Sequence, residues 1–189
     1  MMITRKIYEM PVLWRTVFIW LGFMVVLWTI FAVGWITHPQ AWRNVIPVEP
    51  QKGWQVFGLI LCNNFLLVTL ITVGNLFIRF GNVTPGLVIL GIQATVIGWT
   101  AGTNGFIEPF QSVTAANTAF LYIGLWETTA YVVICAVTLS KSVLVSDTFP
   151  AKKWVKSTSI KELKFTRLEI GIALLGLFAL IGAAAIEAF

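Results

Sequence analysis

Five long apolar stretches, separated by shorter polar segments, dominate the pattern of this chain. A helix of about 20 apolar residues crosses the hydrocarbon core of a bilayer, and each stretch approaches or exceeds that length. The pattern therefore predicts an all-α fold, a bundle of five transmembrane helices in a single domain covering residues 1–189. The predicted spans are Thr16–Ile36, Trp54–Ile78, Pro85–Gly102, Thr118–Leu139 and Leu168–Phe189.

Two further observations support this interpretation. The chain is 58% hydrophobic and only 11% charged, whereas about a quarter of the residues in a soluble domain are charged. Thr84 followed by Pro85 is typical of a helix start, with an N-cap residue before a proline at the first helical position. The first stretch is too long for a signal-peptide core and is predicted to be retained. We expect a multi-pass protein of the cell membrane.

Positive charge is distributed unevenly among the loops. Of the 13 Lys and Arg residues, three precede the first span (Arg5, Lys6, Arg15), one follows the second, and seven lie in the loop 140–167. The other two, Arg43 and Lys52, lie in the first loop. Basic residues accumulate on the cytoplasmic side of membrane proteins. The N-terminus and the loop 140–167 are therefore predicted to be cytoplasmic, and the C-terminus to lie outside.

The loop 140–167 also accounts for the net charge of +5 without any nucleic-acid partner. Its basic residues are expected to bind anionic lipid headgroups. Ser159 and Glu162 form a capping-box pattern, which predicts a basic helix running along the interface into the fifth span. The candidate headgroup ligands are Lys152, Lys153, Lys156, Lys161, Lys164 and Arg167.

The chain carries little that could perform metal or cofactor chemistry. His38 is the only histidine, and Cys62 and Cys135 are the only cysteines. The predicted depths of the two cysteines in the membrane differ by roughly 13 Å, which is too far for a disulfide. No metal-ligand cluster, phosphate-binding loop or catalytic pair is recognisable in the sequence. We therefore expect a non-enzymatic protein with no metal and no cofactor.

Polar residues near the middle of the spans are the strongest candidates for function. Glu127 lies in an apolar run, where an ionisable group normally faces a bundle interior or a water-filled cavity. It belongs to a small and polar stripe that also includes Tyr131. Two explanations stay open: a hydrogen-bonded cluster that holds the helices together, or a proton or cation site in a small carrier or channel. The predicted intramembrane cluster comprises Asn63, Asn64, Asn75, Gln93, Glu127 and Thr128.

Small and aromatic residues predict two further surfaces. Small residues let membrane helices approach closely, and Gly91, Gly98, Gly102 and Gly124 are assigned to helix packing. A stripe of Trp20, Trp28 and Trp35 on the first span is expected to face lipid or a helix of another subunit.

These polar positions also carry a resemblance. Asn64 with Gly74, the segment Gln93-Ala94-Thr95-Val96-Ile97-Gly98, and Gly124-Leu125-Trp126-Glu127 before a basic loop and a last helix resemble the stage II sporulation protein M (SpoIIM) family. Tyr122-Ile123 stand where that family has Pro-His, and Gln93-Ala94 where it has Asn-Gly. The resemblance implies a five-span, non-enzymatic component of a larger membrane assembly. The function predicted is an accessory subunit of a membrane complex, and the alternative is a proton- or cation-coupled transporter or channel using Glu127.

Overall fold

The computed structural model describes residues 7–42, 51–81, 83–104 and 112–189. It is mostly helical, and five helical segments are long and apolar enough to cross a membrane. The prediction of five candidate spans is thus confirmed, with boundaries within five residues of the predicted ones. The helices are α1 (Val12–Thr37), α2 (Trp54–Phe77), α3 (Pro85–Gly102), α4 (Val113–Ala119), α5 (Leu125–Thr138) and α6 (Arg167–Ala188).

The fourth candidate span, Val113–Thr138, is continuous but not uniformly α-helical. A π-helical turn, Phe120–Gly124, joins α4 to α5. A π turn widens the helix locally and changes the register of the faces that follow it. Glu127 lies three residues beyond this turn. The span is the most buried of the five, with half of its most apolar window inside the protein.

A small sheet lies at one end of the bundle, which we call the sheet end. Strand β1 (Ile78–Phe80) directly follows α2 and pairs in parallel with β2 (Leu144–Ser146), and β2 pairs antiparallel with β3 (Val155–Lys156). In the register, Ile78 is opposite Leu144. No strand is predicted here from the sequence, because segments of two or three residues carry almost no periodicity.

The capping boxes differ in part from the prediction. Ser159 and Glu162 do form a capping box, but it starts only a short 3-10 turn, Ile160–Glu162, and not a basic helix entering the fifth span. A second box, between Thr166 and Glu169, starts α6. The chain between them is extended, so the interfacial helix predicted over this loop is absent from the described residues 140–166.

Close glycine contacts determine how two helix pairs meet. A Cβ placed on Gly98 or Gly102 of α3 would collide with the carbonyl oxygens of Leu27 and Phe31 on α1. A Cβ on Gly74 of α2 would lie 2.5 Å from the backbone nitrogen of Gly86 on α3. Here α2 and α3 are in backbone contact near the sheet end. The adjoining core contains Leu27, Ile71, Leu90, Tyr131 and Leu180.

Candidate functional site

An open cavity of about 300 Å³ lies between α2, α3 and α5, and four of the six predicted cluster residues line it. Asn63 is exposed, Gln93 and Glu127 are half-buried, and Asn64 is buried. The cavity lies on the far side of the Gly74–Gly86 contact from the sheet end. Its lining residues are Asn63, Asn64, Leu66, Leu67, Leu70, Gln93, Glu127 and Tyr131.

Tyr131 connects two polar side chains of this cavity, Asn64 and Glu127. Its hydroxyl lies 2.8 Å from Oδ1 of Asn64 and 2.5 Å from Oε1 of Glu127. A phenol carries only one hydrogen, so it cannot donate to both oxygens at once. The spacing of Glu127 and Tyr131, four residues apart on one helix face, was the signal in the sequence that could have placed Tyr131 in the cluster.

One buried polar group of the cavity lacks a partner. The side-chain nitrogen of Asn64 is buried and has no hydrogen-bond partner in the structure described. Glu187, near the end of α6, is exposed and does not line the cavity. The ion pair between Lys141 and Glu169, 3.0 Å long, lies at the sheet end and is the only one found among the described residues. The cavity is therefore acidic and polar without an internal cation.

Asn75 and Thr128 were predicted in the same cluster, but neither lines the cavity. Asn75 lies eleven residues from Asn64, roughly 16 Å along the helix. It is fully buried, donates to Thr138 Oγ1 at 2.9 Å, and accepts from Thr84 Oγ1 at 2.5 Å. Thr128 donates to the carbonyl of Gly124 in its own span at 2.7 Å. The polar residues thus form two separate sites, one at mid-span and one near the sheet end.

The four predicted packing glycines fall into two groups, of which only one packs against another helix. Gly98 and Gly102 lie against α1, as described above. Gly91 lies on an exposed face of α3, with no atom of another element within 4 Å of a Cβ placed there. A Cβ on Gly124 would lie closest to the ring of Phe120, at the start of the same π-helical turn. Neither Gly91 nor Gly124 therefore brings two helices together.

The tryptophan stripe differs from the predicted free face, because the protein's own fourth span covers part of it. Trp20 Nε1 donates to Thr129 Oγ1 at 3.1 Å, and the ring of Trp28 meets Phe120 edge-on at 5.4 Å. Trp35 stacks on Phe31. All three tryptophans are half-buried. An apolar groove of about 420 Å³ remains, lined by Trp20, Met24, Trp28, Asn117, Phe120, Leu121 and Leu125.

Six of the seven basic residues of the loop 140–167 are exposed, and Lys141, paired with Glu169, is half-buried. Phe149, 82% exposed, and Trp154 both contact the ring of Phe80, with centroids 5.4 and 5.1 Å away. Exposed aromatic rings and lysines therefore occupy the same loop. The predicted headgroup ligands Lys152, Lys153, Lys156, Lys161, Lys164 and Arg167 are each exposed.

Comparisons of the chain with protein-family models, with curated proteins and with solved structures find no match. The resemblance to the SpoIIM family stays a prediction. Within the described ranges, no group of three or more His, Cys, Asp or Glu side chains could hold a metal ion. The class that the structure defines is a helical protein with five candidate membrane spans.

Proposed function

We propose that this protein is a non-enzymatic, multi-pass subunit of the cell membrane that acts as a structural or accessory component of a larger membrane complex. The observation that carries the proposal is the open polar cavity near the middle of the spans. Its lining includes an exposed amide, Asn63, and a half-buried carboxyl group, Glu127. The SpoIIM resemblance favours the same role.

A neighbouring subunit is expected at this cavity because polar groups are costly in lipid. Hydrocarbon offers no hydrogen-bond partner, so each uncompensated polar group costs free energy there. Interhelical hydrogen bonds between membrane helices recover part of that cost, on average about 0.6 kcal/mol each. A neighbouring subunit that closes the cavity would satisfy these groups. Only 17% of the most apolar window of α2 is buried, which leaves this helix available for such contacts.

The distribution of charge supports an orientation with the sheet end in the cytoplasm and the C-terminus outside. The loop 140–167 and Arg15 lie at the sheet end. The predicted orientation also counts the charges of Arg5, Lys6 and Arg43, which lie outside the described residues. Insertion of a glycosylation acceptor or a cysteine after Phe189 tests the orientation, since only an external C-terminus is modified by an enzyme or reagent that cannot cross the membrane.

The experiment that tests the accessory role is extraction from the native membrane in a mild detergent, followed by measurement of the particle's mass and composition. The proposal predicts a hetero-complex of fixed stoichiometry. A monomer or homo-oligomer with no other protein contradicts it.

A second candidate, a small proton- or cation-coupled carrier or channel, is favoured by the cavity beside Glu127. In that case the carboxyl group itself would bind and release the ion. The purified protein in liposomes would then conduct ions or solute without any partner, and Glu127→Gln would abolish the flux. Asn63→Gln, which keeps an amide on the cavity wall and leaves Glu127 in place, is the matched control.

A further inference from the structure

The polar cavity contains a carboxyl group and no basic side chain. Glu127 lines it, and none of the other lining residues is Lys, Arg or His. The ion pair of the described residues, Lys141 with Glu169, belongs to the sheet end. A carboxyl group without a basic neighbour is complementary to a positively charged group.

The hydrogen bonds around Tyr131 define which chemistry fits the remaining space. Its single hydrogen faces two oxygens, while the side-chain nitrogen of Asn64 has no partner in the structure described. The two ends of an asparagine amide have nearly the same shape, so their assignment follows from the hydrogen bonds. If the amide is turned over, its nitrogen donates to Tyr131, and Tyr131 donates to Glu127. The conflict at the single hydrogen of Tyr131 disappears, and the amide oxygen replaces the nitrogen as the unpaired buried atom.

The cavity then presents hydrogen-bond acceptors at the carboxyl group of Glu127, while the unpaired amide oxygen of Asn64 is buried. The matching occupant is a donor that also carries positive charge, namely an ammonium or guanidinium group. The cavity volume, about 300 Å³, is far larger than a bare ion requires, since a water molecule takes about 30 Å³. Three leucines, Leu66, Leu67 and Leu70, form its apolar part. Lysine and arginine combine an alkyl stem with a charged head, and this combination matches both surfaces.

We propose that the cavity receives a lysine or arginine side chain from a membrane-spanning helix of a neighbouring subunit, which pairs with Glu127 between α2 and α3. This proposal rests on the accessory role proposed above and names the chemistry of the partner.

The test uses the full-length protein in its native membrane. A photoreactive amino acid replaces Leu70 beside the cavity or, as a control, Leu175, which is 70% exposed on α6. After irradiation the crosslinked peptide is identified by mass spectrometry. In parallel, complex recovery is measured for wild type, Glu127→Gln and Glu187→Gln, and the thermal unfolding of each protein in detergent reports whether it folds.

The expected result is a crosslink from position 70, but not from position 175, to an apolar segment that contains Lys or Arg. Glu127→Gln should reduce recovery of the complex at least tenfold while unfolding near the wild-type temperature, because glutamine can still accept from Tyr131. Glu187→Gln should retain the complex. Replacing the partner's basic residue by Gln should have the same effect as Glu127→Gln.

Four outcomes overturn the inference. A complex that survives Glu127→Gln, or a crosslinked segment without a basic residue, refutes the charge pairing but leaves the accessory role intact. A position-70 crosslink to lipid only, with the complex still recovered, shows that the cavity faces the bilayer. If wild type yields no complex at all, the accessory role fails as well.

Discussion

The guanidinium group of Arg15, near the start of α1, donates a hydrogen bond of 2.9 Å to the carbonyl oxygen of Ala136 on α5. Arg15 is only 5% exposed. It also donates to the residues that precede α1, so it joins the N-terminal segment to the fourth span. Its acceptors are the carbonyls of Ile7, Tyr8, Met10 and Ala136 and the hydroxyl of Ser140.

Replacement of Arg15 by Lys should destabilise the protein although the charge is kept. An ammonium group cannot reproduce the planar fork of donors, so several buried carbonyl groups lose their partner. We expect a loss of about 2–4 kcal/mol in the free energy of unfolding. Unfolding in detergent measures it, with the exposed Arg167→Lys as control. Equal stability of the two variants would show that charge alone matters.

Asn75 of α2 should be more important for stability than Asn63 of the same helix. Asn75→Ala leaves the buried hydroxyl of Thr84 without its acceptor, at about 1–3 kcal/mol for an unsatisfied buried group, whereas Thr138 can still donate to the carbonyl of Ile134. The exposed Asn63→Ala on the same helix should change stability by less than about 0.5 kcal/mol. Chemical denaturation of both variants in the same detergent compares them. A larger effect at Asn63 would contradict this assignment.

The glycines of α3 provide a matched pair. Gly98→Ala places a methyl group against the carbonyl of Leu27, so α1 and α3 must move apart, at about 1–3 kcal/mol. Gly91→Ala meets open space and should be neutral or slightly stabilising, by up to about 1 kcal/mol of helix propensity. Thermal unfolding distinguishes them. If both variants behave alike, the α1–α3 contact is not the close one described.

Tyr8 should make stability depend on alkaline pH. Burial raises its pKa to about 12, although the guanidinium group of Arg79, 4.7 Å above the ring, acts in the opposite direction. A phenol in the unfolded chain ionises near pH 10. The contribution of Tyr8 is therefore fully present below pH 10 and lost as the pH rises to about 12. Between these values the unfolding midpoint should fall more steeply in wild type than in Tyr8→Phe; parallel curves would refute this.

The loop 140–167 should retain anionic lipid. The combined change of Lys152, Lys153 and Lys156 to Gln removes three exposed charges, each worth about 1 kcal/mol near a negative surface. Retention of phosphatidylglycerol at low salt should fall roughly 100-fold, and retention of phosphatidylcholine should not change. Native mass spectrometry counts the bound lipids. Lys52→Gln, on the predicted outer side, is the control and should lose none.

Much of the fold could be predicted because apolar length and local capping act within one segment. The third span begins at Pro85 and ends at Gly102 as predicted, and Thr84 caps it. Asn63, Asn64, Gln93 and Glu127 were grouped by depth alone, and they share one cavity. Depth along a helix is readable from residue number, since each residue advances it by a fixed rise.

Features that depend on which helices are neighbours could not be predicted. Gly91 and Gly98 look alike in the sequence, but only Gly98 faces α1. Arg15 was interpreted as a topogenic charge because its acceptor on α5 lies 121 residues away. Asn75 was grouped with Asn64 because they share a helix face, although distance along the axis separates their partners. Helical spacing defines a face but does not identify the element opposite it.

The parallel pairing of Ile78 with Leu144 also constrains the order of events during biosynthesis. The first strand is synthesised 66 residues before its partner, so the ends of α2 and α5 can be joined only after α5 has left the ribosome. Contacts of such long sequence separation form late. Until then the backbone groups of the first strand that pair with the second strand can be satisfied only by water. An interruption of translation before Leu144 should thus leave a nascent chain with this end open and sensitive to added protease.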